Sequence, residues 1–114
     1  MSAGNPEARI TELADCVQAF HERFGISGAA SRDDLLARIL IQDEEVRELH
    51  EAIAGESDER VASEAVDVLF VAIGTVLRLD PALAAEAIRE VIEKNDAKTW
   101  DTHHINDAGK IARR

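Results

Sequence analysis

Apolar residues recur at three- and four-residue steps along most of the chain, which is the spacing of a helix with one buried face. The first such run begins at the cap residue Asn5, which a proline follows, and ends at Gly25. Ser31 and Asp34 have the spacing of a capping box, which opens a second helix that reaches Gly55. The pattern predicts two helices in the first half of the chain.

Two more helices are predicted in the second half. Ser57 is a cap for a third helix over roughly 58–79, and a proline after Asp80 begins a fourth that extends toward Trp100. Residues 101–114 have no clear period and are interpreted as a tail. No segment alternates as a strand does, so we expect one all-α domain over residues 1–114, a four-helix bundle.

Charge narrows the classes of function. The chain has 13 Lys+Arg and 23 Asp+Glu, a net charge of −10, which repels nucleic acid. Cys16, the single cysteine, has no intramolecular disulfide partner and is expected to be a small buried residue. No apolar run is long enough to span a membrane, and residues 1–10 lack the features of a signal peptide. We therefore expect a soluble cytoplasmic protein that binds neither nucleic acid nor membrane.

Four carboxylates are arranged as two pairs on consecutive helices. Glu45 and Glu48 share one face of the second helix, IQDEEVRELHEAI, and Glu64 and Asp67 share one face of the third, SEAVDVLFVAIG. Acids on helices are usually solvated surface groups, and this remains the simpler interpretation of Glu44 taken singly.

Asp67 is the acid that this simpler interpretation does not fit. It is the only polar residue from Ala65 to Ile73, so we expect that part of the helix to be buried on every side. A buried carboxylate must be neutralised, paired with a base or bound to a cation. With Glu64 one turn away, Mg²⁺ or Mn²⁺ is the favoured partner, and a phosphate-containing substrate would complete the ligand shell.

A di-iron carboxylate site is the competing explanation for acids inside a helical bundle. Such a site uses Glu-x-x-His pairs. The residues three positions before the four histidines are Gln18, Arg47, Trp100 and Asp101. The sequence therefore argues against a ferritin-like centre.

Two motifs give the chain a resemblance to a known family. EExxE, at residues 44–48, is followed by ExxD, at residues 64–67, and together they resemble the MazG-like all-α nucleoside triphosphate pyrophosphohydrolases. EVIEKNDAKTW resembles the basic and amide segment after the fourth helix of these enzymes. FHERFG, GTVLRLD and AGKI are similar to a phosphoribosyl-ATP pyrophosphohydrolase-like subgroup.

This resemblance implies hydrolysis of the α–β phosphoanhydride of a (deoxy)nucleoside triphosphate to a monophosphate and pyrophosphate. It implies that Mg²⁺, or Mn²⁺, is held by four acids: Glu45, Glu48, Glu64 and Asp67. Glu44 is a further carboxylate that takes another ion or orients water. Glu44 and Glu45 are the expected catalytic residues, since a carboxylate beside the metal can accept the proton of a bound water.

The resemblance also implies that Lys94, Asn95 and Lys98 bind the substrate. The alternative for the two lysines is a favourable position near a helix C-terminus.

Three functions stay open: a nucleotide pyrophosphohydrolase, the phosphoribosyl-ATP enzyme of histidine biosynthesis, and a non-catalytic helical interaction module. An apolar third helix favours a homodimer or homotetramer, as the resemblance also implies, with residues 94–98 reaching a neighbouring subunit's acids. Phe20, Phe24 and Trp100 could stack on a base, although aromatic residues at helical spacing are more often core or interface residues. Gly74 either allows close helix packing or leaves room for ligand, and packing is the favoured interpretation.

Overall fold

A computed structural model describes residues 4–114 of the chain; the first three residues of the predicted domain, 1–3, lie outside the described part. The elements are α1 (Pro6–Arg23), α2 (Arg32–Gly55), α3 (Asp58–Leu77), α4 (Pro81–Asp96), β1 (His103–Ile105) and β2 (Ile111–Arg113). The prediction of an all-α fold with four helices is confirmed. The chain divides into two compact units, one ending at Pro81 and the other Ala82–Arg114, which are described separately.

The helix ends follow the predicted capping residues. The Asn5 side chain accepts hydrogen bonds from two backbone amides of the first turn of α1. Ser31 and Asp34 form the complete capping box at the start of α2, and the Ser57 hydroxyl accepts from the third amide of α3. Gly25 follows α1 with φ of 71°, a conformation that favours glycine. Local side-chain chemistry therefore sets where these helices begin and end.

In the first unit, α3 packs against both α2 and α1. Gln42 on α2 donates to the Val68 carbonyl oxygen at 3.1 Å, which fixes the register of the two helices. Val17, Ala52 and Val71 are the buried apolar residues of this unit. The core is small, and the register of α2 on α3 determines which acids meet.

Two burial predictions are wrong. Val66 is 48% exposed and Asp67 is also exposed, because α1 and α2 cover only one side of α3 within this unit. Cys16 is exposed as well, since it is adjacent to the buried Val17 and therefore lies on a different face of α1.

Residues 103–113 form a β-hairpin rather than the predicted tail. His103 pairs with Arg113 and Ile105 with Ile111 in antiparallel register. The Asn106 side chain accepts from two loop amides, and Gly109 has φ of 82°. Strands of three residues are too short to show alternation, so this hairpin has no sequence signal in its strands. α4 also ends at Asp96, earlier than predicted.

Candidate metal centre

Three glutamates from α2 and α3 converge at one place. Glu45 and Glu48 lie one turn apart on α2, and Glu64 lies on α3, whose register against α2 brings the three together. One carboxylate oxygen of each lies within 4.8 Å of the others. The two predicted acid pairs therefore contribute three members to a single cluster, which we call the carboxylate cluster.

The cluster is shielded from water and electrostatically crowded. Glu64 is 4% exposed, while Glu45 and Glu48 are half-buried. Loss of hydration raises the pKa of Glu45, and the neighbouring charges of Glu48 and Asp67 raise it further. Loss of hydration likewise raises the pKa of Glu64. The charge of Arg60 lowers this pKa, and the charges of Glu48 and Asp67 raise it further. Without a cation, Glu45 and Glu64 therefore hold a proton more readily than an isolated glutamate does.

Only part of the cluster is neutralised by the protein itself. Arg60 donates to Glu64 Oε1 at 2.5 Å, one turn away on α3. The Oε2 atoms of Glu45 and Glu64 are buried and have no hydrogen-bond partner among residues 4–114. Buried carboxylate oxygens without a donor are costly, so a ligand of opposite charge is expected at this place.

The donor set fits a hard divalent cation. All three donors are carboxylate oxygens, the ligands that Mg²⁺ and Mn²⁺ prefer, and no histidine belongs to the cluster of described residues. A divalent cation would satisfy the two unpartnered oxygens and relieve the repulsion that raises the pKa values of Glu45 and Glu64.

The two remaining predicted acids lie outside this tight group. Asp67 is exposed, and its influence on the cluster is the charge that raises the pKa values of Glu45 and Glu64. Glu44 is exposed on α2 beside Glu45. Their predicted roles as metal ligand and catalytic carboxylate stay predictions.

The predicted substrate-binding residues lie in the second unit. Lys94 and Asn95 are exposed in the last turn of α4, and Lys98 is half-buried just beyond it. The Asn95 side-chain amide donates to the Val91 carbonyl oxygen at 2.8 Å. Their role in binding substrate stays a prediction.

A comparison with known protein families identifies the family of this chain. The profile of the phosphoribosyl-ATP pyrophosphohydrolase family matches residues 26–96, well over half of the chain. The chain belongs to the phosphoribosyl-ATP pyrophosphohydrolase family. This family is part of the MazG-like all-α superfamily, so the predicted resemblance is confirmed. No curated protein and no solved structure matches the chain.

The family assignment supports a pyrophosphohydrolase and, in general, a metal-dependent one. The matched segment contains α2, α3 and all of α4, and with them the carboxylate cluster. Lys98, Trp100 and the hairpin lie beyond it. No helix in the described part of this family member is long and apolar enough to cross a membrane.

Sequence reasoning missed two residues that shape the site. Arg60 stands four positions before Glu64, a spacing at which a helix brings the two side chains together. The sequence spacing therefore could have predicted this ion pair. Gln42 aligns α2 with α3 through a backbone carbonyl, and no spacing rule predicts such a bond.

Proposed function

We propose that this protein is a Mg²⁺-dependent nucleotide pyrophosphohydrolase that cleaves the α–β phosphoanhydride of (deoxy)nucleoside triphosphates, releasing a monophosphate and pyrophosphate. The observation that supports it best is the carboxylate cluster, with two buried oxygens that lack a partner in the described chain. Its chemistry suits the phosphate substrates of the family to which the chain belongs.

In this proposal, Glu45, Glu48 and Glu64 hold Mg²⁺ or Mn²⁺, and Asp67 joins them from the next turn of α3. The ion, when bound, supplies Lewis-acid stabilisation of phosphate oxygens and lowers the pKa of a bound water. Arg60 keeps one oxygen of Glu64 in place through its 2.5 Å hydrogen bond, which leaves the other oxygen for the ion.

Proton transfer is assigned to Glu45, with Glu44 beside it. Glu45 belongs to the carboxylate cluster, so its carboxylate would lie beside a bound ion and would be placed to accept the proton of an attacking water. Glu44 is exposed to solvent and orients the water or takes a further ion. Lys94 and Lys98 bind phosphate oxygens as cations, and Asn95 is a hydrogen-bonding partner for phosphate or sugar.

The second candidate substrate is phosphoribosyl-ATP, because the matching family profile carries that name. The same cluster would perform the same cleavage on it. We also propose a homodimer or homotetramer in the cytoplasm as the working form, supported by the large apolar side chains that α2 and α3 leave exposed.

The test is pyrophosphate release from the common ribo- and deoxyribonucleoside triphosphates and from phosphoribosyl-ATP, each with Mg²⁺ or Mn²⁺. Glu48→Gln removes a donor of the cluster and is expected to lower turnover about a hundredfold or more while the protein stays folded. Glu51→Gln is the matched control, since Glu51 lies on the same helix, is exposed and pairs only weakly with Arg47 at 3.9 Å.

A melting experiment separates the enzyme from a non-catalytic helical module. Mg²⁺ or Mn²⁺ should raise the melting temperature of the wild type and of Glu51→Gln, and raise that of Glu48→Gln much less. Full activity of Glu48→Gln, or a metal response equal in all three proteins, would defeat the assignment.

A further inference from the structure

A cavity of about 350 Å³ lies within the second unit, where the chain leaves α4 and enters the hairpin. This volume is at the lower end of the roughly 300–1,000 Å³ typical of small-molecule sites. Its lining combines α4, the following turn and both strands. The residues that line it include Asn95, Lys98, Trp100, His103, His104 and Ile111.

Hydrogen bonds hold the walls of this cavity in place. The backbone amide of His103 donates to the Thr99 carbonyl oxygen at 2.8 Å, which closes the turn after α4. Arg114 Nε donates to the Trp100 carbonyl oxygen at 2.6 Å, and the Arg114 amide donates to the Thr102 carbonyl oxygen at 3.0 Å. The hairpin is thereby fastened to the turn that carries Trp100, so the cavity is preformed.

The lining of the cavity includes a histidine, His104, with one ring nitrogen that lacks a partner among the described residues. Nδ1 of His104 is buried and makes no hydrogen bond to any described residue. Nδ1 of His103 lies 2.7 Å from the Thr102 hydroxyl. Loss of hydration lowers the pKa of His103, and the charges of Lys98 and Arg113 lower it further, which favours the neutral form of this ring. Neutral imidazoles offer both a donor and an acceptor.

The apolar part of the lining suits a planar ring. Trp100 is 68% exposed and Ile111 is 55% exposed, although both side chains are large and apolar. A bare phosphate would need several cations or amide donors, and this cavity has one permanent cation, Lys98. An aromatic heterocycle, by contrast, stacks on tryptophan and uses donors and acceptors along its edge.

We propose that this cavity binds the base of the nucleotide substrate, stacked on Trp100 and hydrogen-bonded by His104. This inference rests on the proposed function, in which Lys98 binds phosphate oxygens. Lys98 also lines the cavity, so the base and the phosphates of one nucleotide would meet at this residue. It concerns a part of the chain that lies almost wholly beyond residues 26–96, the segment that matches the family. The base preference would therefore be set by the turn and hairpin rather than by the carboxylate cluster.

The intrinsic fluorescence of Trp100 gives a direct test, because it is the only tryptophan in the chain. Adenosine, guanosine, cytidine and thymidine are titrated without metal, and sodium tripolyphosphate serves as a phosphate-only probe. At least one nucleoside should quench the fluorescence saturably, and tripolyphosphate should leave it nearly unchanged. A response to tripolyphosphate alone, or to none of the probes, would overturn the proposal.

Variants locate the binding in this cavity. His104→Gln should weaken the nucleoside affinity roughly fivefold, the effect of one neutral hydrogen bond, whereas His50→Gln, the same change at an exposed position on α2, should not. Equal affinities in His104→Gln and the wild type would overturn the proposal.

Turnover provides the second readout. The substrate is the triphosphate of the nucleoside that quenches the fluorescence. Trp100→Ala should raise KM for this triphosphate about tenfold with little change in kcat, and Trp100→Phe should restore most of the affinity. Because Trp100 is exposed, neither change opens the core, and circular dichroism verifies the fold. Nucleoside quenching without any hydrolysis would support the base site and defeat the proposed function, so the two failures are distinguishable.

Discussion

At the scale of residues, the chain places polar groups inside a helical interface at two different places. The carboxylate cluster is one of them. The other lies farther along α2 and α3, where Arg38 donates to Thr75 Oγ1 at 2.9 Å and to the Val71 carbonyl oxygen at 3.0 Å. The guanidinium lies against Gly74 and the buried His21 ring. Here the protein satisfies its own polar groups, whereas in the cluster it leaves two oxygens unpartnered.

Gly74→Ala tests how tightly this second place is packed. An added Cβ would lie 3.2 Å from the His21 ring and closer still to the Arg38 guanidinium, whose two hydrogen bonds oppose its displacement. We expect a loss of about 1–3 kcal/mol in the free energy of unfolding, measured by urea denaturation. Gly55→Ala is the control, because nothing lies within 4 Å of the added atom and helix propensity favours alanine. Equal stabilities of the two variants would contradict the interpretation that Gly74 allows close packing rather than leaving room for a ligand.

His21 makes stability depend on pH in a defined direction. Burial lowers its pKa, and the charges of Arg38 and Arg78 lower it further. As pH falls through about 6.5, the unfolded chain takes up a proton that the folded protein refuses, so stability is lost on the acid side and is complete above that pH. Glu45 and Glu64, whose pKa values are raised, act in the opposite sense and favour the metal-free fold as pH falls.

The contribution of His21 is isolated by comparison with His21→Gln, which does not titrate. Urea unfolding from pH 7.5 to 5.5 should show a steeper loss of stability toward acid in the wild type than in the variant. Parallel pH profiles would mean that His21 does not oppose protonation in the folded state.

At the scale of elements, the capping signals predicted the helices well and gave no indication of the hairpin. Asn5, Ser31 and Ser57 are local signals, because a helix start depends on residues within one turn. The hairpin depends on Gly109 and on pairing across a loop, and its strands are too short for a periodic signal. The wall of the proposed base site was therefore invisible in the pattern of the sequence.

The site could be predicted in part. The spacing placed Glu45 and Glu48 on one face of α2, and Glu64 with Asp67 on one face of α3. The structure brings three of these four acids together in the carboxylate cluster. The prediction of a buried Asp67 was wrong because composition indicates only that a surface is apolar, and the covering of that surface depends on how many neighbours reach it. It is Glu64 that is buried.

At the scale of the whole molecule, the exposed apolar surface of the first unit is large for a chain of 12.5 kDa. On α2, Leu36 is 66% and Leu40 71% exposed, four positions apart on one face, and Ile53 is 65% exposed. Large apolar side chains that are exposed together on one helix face, as Leu36 and Leu40 are, mark an interaction site. We propose a second copy of the chain as the partner that covers this face.

The expected assembly is measured by size-exclusion chromatography with light scattering. The mass should be two or four times the 12.5 kDa of one chain. Leu40→Glu should shift it toward the monomer by placing a charge on that face, and Thr11→Glu, which adds the same charge at an exposed polar position, should not. A monomeric wild type at assay concentration would count against the homodimer or homotetramer.

Phosphorus NMR tests the proposed cleavage of the α–β phosphoanhydride most directly, because it shows which bond the protein breaks. With Mg²⁺ and a nucleoside triphosphate or phosphoribosyl-ATP, the wild type should convert the substrate signals into those of a monophosphate and pyrophosphate, and Glu48→Gln should leave them unchanged. Appearance of a nucleoside diphosphate with orthophosphate, or no conversion of any of these substrates by the folded wild type, would contradict the account.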